Sequence, residues 1–83
     1  MDERRKRLLY RATHRGTREA DRLVGGFADR FVAELDAEGL MAFEALIEER
    51  DADLVDWLMG HAAVPAAFDG PLMRRMIAFT RGE

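Results

Sequence analysis

The sequence predicts an all-α fold, a compact single-domain bundle of about five short helices over residues 1–83. Apolar residues recur at spacings of three and four through most of the chain, which is the pattern of amphipathic helices. Glycine, proline or a capping aspartate separates these segments. A chain of 83 residues has room for one hydrophobic core. Helices that each bury one apolar stripe against the others therefore form a single bundle.

The first helix is predicted over about residues 3–14, where Leu8, Leu9 and Ala12 form a narrow apolar stripe. Gly16 follows as a left-handed helix stop, because only glycine adopts positive φ without a Cβ penalty. Thr17 can then cap the second helix, and Glu19 falls in its first turn, where the helix dipole favours a carboxylate. These residues predict a tight turn between two helices.

The second helix carries the longest apolar stripe of the chain. The stripe consists of Ala20, Leu23, Val24, Phe27, Phe31 and Leu35. Gly25 and Gly26 interrupt it, and each interior glycine costs a helix about 1 kcal/mol relative to alanine. We therefore expect a kink there, or the close approach of another helix.

Aspartates begin the next two helices. Asp36 can cap a third helix over about residues 37–50, and Asp51 can cap a fourth over about residues 52–60. The inward positions are Leu40, Phe43, Leu46 and Ile47 in the third helix, and Leu54, Val55, Leu58 and Met59 in the fourth. Trp57 lies beside the fourth stripe, so we expect it at an edge of the core, with a contact to a partner protein as the alternative.

The last helix follows a loop over residues 61–69 and ends near Gly82. Pro71 suits its first position, where the missing N–H is not needed. Its apolar residues are Leu72, Met73, Met76, Ile77 and Phe79.

Composition argues against an enzyme and against a metal site. The chain has no cysteine, which excludes disulfides and thiolate chemistry and fits a reducing cytoplasm. Serine is also absent, and His14 and His61 do not form a paired-ligand spacing. No apolar run approaches the roughly 18 residues of a membrane helix, and no signal-peptide pattern is present. We therefore expect no catalytic residue, no metal and no membrane span.

Charge is divided unevenly along the chain. Residues 1–22 hold eight Lys/Arg and four Asp/Glu, a net charge of +4, whereas residues 23–83 hold five Arg and twelve Asp/Glu, a net charge of −7. The basic end would steer an acidic partner surface toward the first helices, and a solvated basic face is the alternative. Because the acidic remainder would repel phosphates, we do not expect a nucleic-acid partner.

Two short motifs resemble one known family. Arg15-Gly16-x-x-Glu19 resembles the Arg-Gly-x-x-Glu signature of the SdhE family, the succinate dehydrogenase assembly factor 2 proteins or flavinators. The segment from Asp51 to Trp57, followed by Leu58, resembles that family's acidic turn and its Asp-Leu-x-x-Trp-Leu helix. The two motifs have the family's order and spacing, and the resemblance covers nearly the whole chain.

The resemblance implies a small helical chaperone of the bacterial cytoplasm. Such proteins bind the flavoprotein subunit of succinate dehydrogenase, and in some bacteria fumarate reductase, and promote covalent attachment of FAD to a histidine of that subunit. FAD would belong to the partner, and this chain would bind no cofactor stably. The implied partner-binding residues are Arg15, Gly16, Arg18 and Glu19, with His14, Asp53 and Trp57 as secondary candidates.

Several alternatives remain open at this point. An antitoxin-like module that neutralises a small toxin is the second interpretation of the resemblance, and a free-standing FAD-binding protein is a third class. Gly16 and Glu19 could also serve only as a helix stop and a partner of the helix dipole, and Asp51 only as a cap. We expect a monomer, with a dimer through the exposed motif as the alternative.

Overall fold

The computed structural model describes all 83 residues, and it contains five helices and no strands. Helix α1 spans Glu3–Thr13, α3 spans Ala37–Leu46, α4 spans Asp51–Met59 and α5 spans Pro71–Thr80. Helix α2 covers residues 18–31 and is built from Arg18–Ala20, a π-helical turn Asp21–Gly25, and Gly26–Phe31. There are also two 3₁₀ turns: Val32–Glu34 directly follows α2, and Ala66–Phe68 precedes α5. The all-α prediction is confirmed, and no helix is long and apolar enough to cross a membrane.

Phe27 of α2 lies at the centre of the core. Its side chain is fully buried, and its ring packs against Phe31, Phe43 and Phe79 at centroid distances of 4.9, 5.8 and 5.8 Å. The Phe43 and Phe79 rings come from α3 and α5 and meet Phe27 edge to face, a favourable geometry for aromatic pairs. Leu8 and Ala12 complete the core from α1, and Leu54 completes it from α4. The core therefore joins all five helices.

Local capping signals set where two helices begin, as predicted. The Thr17 hydroxyl accepts a hydrogen bond from the Ala20 N–H at 3.1 Å, and the Asp36 carboxylate accepts one from the Gly39 N–H at 2.8 Å. Pro71 is the first residue of α5. Each cap satisfies an N–H that has no partner inside its own helix.

Gly25 allows α1 and α2 to pack closely. A Cβ on Gly25 would lie 3.0 Å from the Ala12 carbonyl oxygen and 3.1 Å from Thr13 Cα, both backbone atoms of α1. The expected close approach of another helix is therefore confirmed. Instead of a sharp kink, α2 widens into the π-helical turn that ends at this glycine.

Two predictions about turn residues are wrong. Gly16 is not a left-handed helix stop, since positive φ occurs only at Gly60 and Gly82. Asp51 does not cap α4, because it is the first residue of that helix, and Arg50 holds the capping position without a side-chain hydrogen bond. Gly16 and Asp51 bind each other instead.

The inward face of α4 also differs from the predicted stripe. Met59 is exposed, whereas Trp57 is only 9% exposed and stacks on Phe68 with the ring centroids 5.5 Å apart. Leu54, Trp57 and Leu58 have the i, i+3, i+4 spacing of a single buried face, and Phe68 of the second 3₁₀ turn packs on Trp57 at the edge of that face. Met59 falls on the opposite side of the helix.

Two helices are shorter than predicted. Helix α3 ends at Leu46, four residues before the predicted end, although Ile47 is still buried. The α-helical part of α2 ends at Phe31, and Leu35 reaches the core from extended backbone after a 3₁₀ turn. Ile47 and Leu35 are therefore buried although each lies beyond the end of its helix.

Candidate partner-binding site

The Arg15 side chain is enclosed by two other helices. Its Nε donates to Asp51 Oδ1 at 2.7 Å, and its two terminal nitrogens donate to the carbonyl oxygens of Ile47 and Glu49, both at 2.8 Å. Only 11% of the side chain is exposed. The guanidinium thus satisfies carbonyl groups just beyond the end of α3 and pairs with the first residue of α4.

Asp51 holds both the side chain and the backbone of the turn before α2. Its second oxygen accepts a hydrogen bond from the Gly16 N–H at 2.7 Å. Desolvation alone would raise the pKa of Asp51, but the hydrogen bonds from Arg15 and from the Gly16 N–H outweigh it and hold this pKa below its usual value. The carboxylate therefore stays ionised in the folded protein and keeps its two donors in place.

Close contact with Asp51, and not positive φ, explains a glycine at position 16. A Cβ on Gly16 would lie 3.2 Å from Asp51 Oδ2, closer than side chains normally approach. A larger residue would push the carboxylate away from the Gly16 N–H. Glycine is therefore required at position 16 because a side chain there would collide with the Asp51 carboxylate, and not because the backbone adopts positive φ.

The same turn is also fixed to α2. The Arg15 N–H donates to Asp21 Oδ1 at 2.6 Å, and Thr17 caps the helix that begins at Arg18. We call residues 15–19 the motif turn. It is held by Asp51 on one side and by Asp21 on the other, so its conformation is set before any partner arrives.

The outer side of the motif turn is open to solvent. Arg18 is exposed, and Glu19 pairs with Arg22 at 2.6 Å while 43% of the Glu19 side chain and 62% of the Arg22 side chain stay accessible. Ion pairs between exposed side chains contribute little to stability, so a partner can replace this one at small cost. Arg18 and Glu19 are therefore the charged groups of the motif that another protein can reach.

The secondary candidates do not form one cluster. His14 is exposed and precedes the motif turn directly. Asp53 lies on α4 and makes two long hydrogen bonds, 3.2 and 3.4 Å, with the exposed Arg50. Trp57 is buried against Phe68, so its ring is part of the core.

The role of Asp51 in this site was not predicted from the sequence. An aspartate at the start of a helix has the same local signal whether it caps that helix or binds a distant arginine. The second motif joins the first through this one carboxylate, which lies 36 residues after Arg15. The two motifs recognised separately in the sequence are thus parts of one structure.

The largest surface groove of the chain, about 420 Å³, lies between the N-terminal ends of α3 and α5. Three carboxylates line it, those of Glu34, Asp36 and Glu38, together with the single cation Arg75. This excess of negative charge disfavours a pyrophosphate group there. No group of three or more metal-binding side chains is arranged around a common point.

Comparison with known proteins agrees with the two motifs. Residues 6–80 match the family described as flavinator of succinate dehydrogenase. The chain is 42% identical over 78 residues to the FAD assembly factor SdhE of Acetobacter pasteurianus, with 94% of this chain and 72% of the relative aligned. It is 31% identical over 74 residues to a mitochondrial succinate dehydrogenase assembly factor 2 of Dictyostelium discoideum, with 89% of this chain and 52% of the relative aligned.

The mitochondrial relatives are longer than the region they share with this chain. In Saccharomyces cerevisiae, 57 residues of succinate dehydrogenase assembly factor 2 align at 35% identity, which covers 69% of this chain and 35% of the relative. The family match, by contrast, takes in all five helices almost completely. This chain belongs to the family of succinate dehydrogenase flavinators.

Proposed function

We propose that this chain is an assembly factor that binds the flavoprotein subunit of succinate dehydrogenase and promotes covalent attachment of FAD to that subunit. Family membership supports the role, and the bacterial relative is itself named an FAD assembly factor. The observation that carries our assignment of the binding surface is the motif turn, which is held rigidly from within and exposes Arg18 and Glu19 outward.

Within this surface the motif residues have different roles. Arg18 and Glu19 make charge-assisted contacts with the flavoprotein. Gly16 supports these contacts by leaving room for the Asp51 carboxylate that holds the motif turn. Arg15 holds the motif turn in place and does not itself contact the flavoprotein, because its guanidinium is already hydrogen-bonded to Asp51, Ile47 and Glu49. A partner that binds this turn does not need to order it first.

The mechanism follows from what this chain can and cannot supply. Its largest groove has an acidic lining, which is why we assign both the cofactor and the histidine that reacts with it to the flavoprotein. By binding one conformation of the flavoprotein, the chain stabilises the arrangement in which that histidine and the flavin ring are aligned. Its contribution is orientation, and it acts as a binding partner instead of an enzyme.

Two finer points belong to the same proposal. We propose that the flavoprotein subunit of fumarate reductase is a second partner of the same surface. We also propose that the chain works as a monomer in the bacterial cytoplasm.

The experiment that tests this function measures covalent flavin in cells. The flavoprotein subunit is separated under denaturing conditions, and its in-gel flavin fluorescence is compared among strains with the gene intact, deleted, or replaced by Glu19→Ala. Glu38→Ala is the matched control, because Glu38 is an exposed carboxylate in the first turn of α3, as Glu19 is in the first turn of α2.

We expect deletion to dim the flavoprotein band, Glu19→Ala to leave it dim and Glu38→Ala to restore it. Circular dichroism of each purified variant checks that it is folded. A band equally bright in the deletion strain would contradict the proposal and would direct attention to a different partner, such as a small toxin.

A further inference from the structure

The outward face of α1 carries the most exposed aromatic side chain of the molecule. Tyr10 is 63% exposed, whereas the phenylalanines and the tryptophan are buried or partly buried. Its ring stacks on that of His14, one helical turn later, with centroids 3.9 Å apart and planes inclined by 17°. We call these two rings the Tyr10–His14 plate. Tyrosine is among the residues that most often dominate binding energy at protein interfaces.

Hydrogen bonds fix the orientation of the His14 ring. Its Nδ1 lies 2.8 Å from the Tyr10 carbonyl oxygen, which can only accept, so this nitrogen carries the hydrogen. Thr13 Oγ1 lies 3.1 Å from the same nitrogen and donates its own hydrogen to the Leu9 carbonyl at 2.8 Å. In the neutral ring, Nε2 is therefore a hydrogen-bond acceptor, and none of these hydrogen bonds involves it.

The plate is rigidly continuous with the motif turn. His14 directly precedes Arg15, whose side chain and N–H are bound to Asp51 and Asp21. On the other side, Thr13 is packed against Gly25 of α2. The backbone on both sides of His14 is thus held in place, and little conformational entropy is lost when a partner covers the plate.

From these observations we infer that the Tyr10–His14 plate is a second contact surface for the same flavoprotein subunit. It receives a flat apolar side chain of the flavoprotein, with an N–H or O–H donor placed opposite His14 Nε2. This inference rests on the proposed function, because the partner is identified through the motif turn beside the plate.

The test compares affinities for the purified flavoprotein subunit by isothermal titration calorimetry. We expect Tyr10→Ala to weaken binding at least about tenfold, as for a central interface residue. Tyr10→Phe keeps the ring and should bind within about twofold of the unmodified chain. Met41→Ala is the matched control, since Met41 is also 63% exposed but lies on α3, and it too should bind within about twofold.

Glu19→Ala separates failure of this inference from failure of the proposed function. If Tyr10→Ala binds as tightly as the unmodified chain while Glu19→Ala binds weakly, the plate lies outside the interface and the inference is wrong. If the unmodified chain does not bind the flavoprotein at all, the proposed function is contradicted and the inference with it.

Discussion

The Asp51 carboxylate connects two parts of the chain that are distant in sequence, the turn at Arg15 and Gly16 and the start of α4. One oxygen binds the Arg15 guanidinium and the other binds the Gly16 N–H, while Asp51 itself begins α4. A largely buried charge of this kind is destabilising when its partner is removed, because the remaining charge is left without compensation. At the scale of single residues, Asp51 is therefore the position on which the motif turn most depends.

Asp51→Asn should lower the free energy of unfolding at pH 7 by about 2–4 kcal/mol, because Arg15 loses its counter-charge while remaining largely buried. Urea denaturation followed by circular dichroism measures this difference. Asp53→Asn serves as the control, because the partner of Asp53 is an exposed arginine, and it should have a much smaller effect.

The difference in stability between the unmodified chain and Asp51→Asn should depend on pH. The pKa of Asp51 is lowered in the folded state from its ordinary value of 3.8, so its stabilising contribution is complete above that value. The contribution is lost as the pH falls through the lower, folded-state pKa. The stability gap between the unmodified chain and Asp51→Asn should therefore narrow below about pH 3.8, and a gap that widened there would show that another group is responsible.

Two adjacent glycines of α2 have opposite packing environments. A Cβ on Gly25 would press against the backbone of α1 at 3.0 and 3.1 Å, which neither helix can relieve by moving a side chain. A Cβ on Gly26 would meet only the edge of the Phe79 ring, at 3.5 Å, which is ordinary contact. At the scale of helices, Gly25 therefore sets the distance between α1 and α2, and Gly26 does not.

We expect the two alanine substitutions to change stability in opposite directions. Gly26→Ala should raise the free energy of unfolding by about 0.5–1 kcal/mol, since alanine is the better helix former and its Cβ fits. Gly25→Ala should lower it by about 1–3 kcal/mol, because overpacking outweighs that gain. Chemical denaturation of both variants measures the signs, and equal effects would contradict a close contact at Gly25.

How well each helix was predicted depends on how local its signals are. Thr17, Asp36 and Pro71 set helix starts through contacts within four residues, and all three were predicted correctly. The end of α3 was not, because the carbonyls beyond Leu46 are bound by Arg15 from another part of the chain. For the π-helical turn in α2, the only signal in the sequence was the glycine pair. The pair indicated a kink or the close approach of another helix, but it did not predict a π-helical turn.

At the scale of the whole molecule, part of the uneven charge is paired within the chain. Arg4 pairs with Glu44, Arg11 with Glu48 and Arg15 with Asp51, so the basic first helix and turn lie along the acidic α3 and the start of α4. Hydrogen bonds from Arg4 hold the pKa of Glu44 below its usual range. The asymmetry is evident from the sequence, but the sequence could not show that these arginines pair with acids of the same chain.

The candidate site shows a similar limit. Its position was predicted from the Arg-Gly-x-x-Glu motif, but the division of roles within it depends on contacts that span more than 30 residues. Arg15 and Glu19 have the same standing in the sequence, yet one is enclosed and the other is accessible. Only the fold separates the residues that hold the motif turn from those that can touch a partner.

The proposed function requires that the motif turn be the surface that acts on the flavoprotein. The most direct measurement is reconstitution from purified components: apo-flavoprotein subunit, FAD, and this chain or its variants. Covalently bound flavin is measured against time after denaturation. We expect the unmodified chain and Glu38→Ala to accelerate attachment equally, and Glu19→Ala to give no acceleration. Equal acceleration by folded Glu19→Ala would contradict the proposed function.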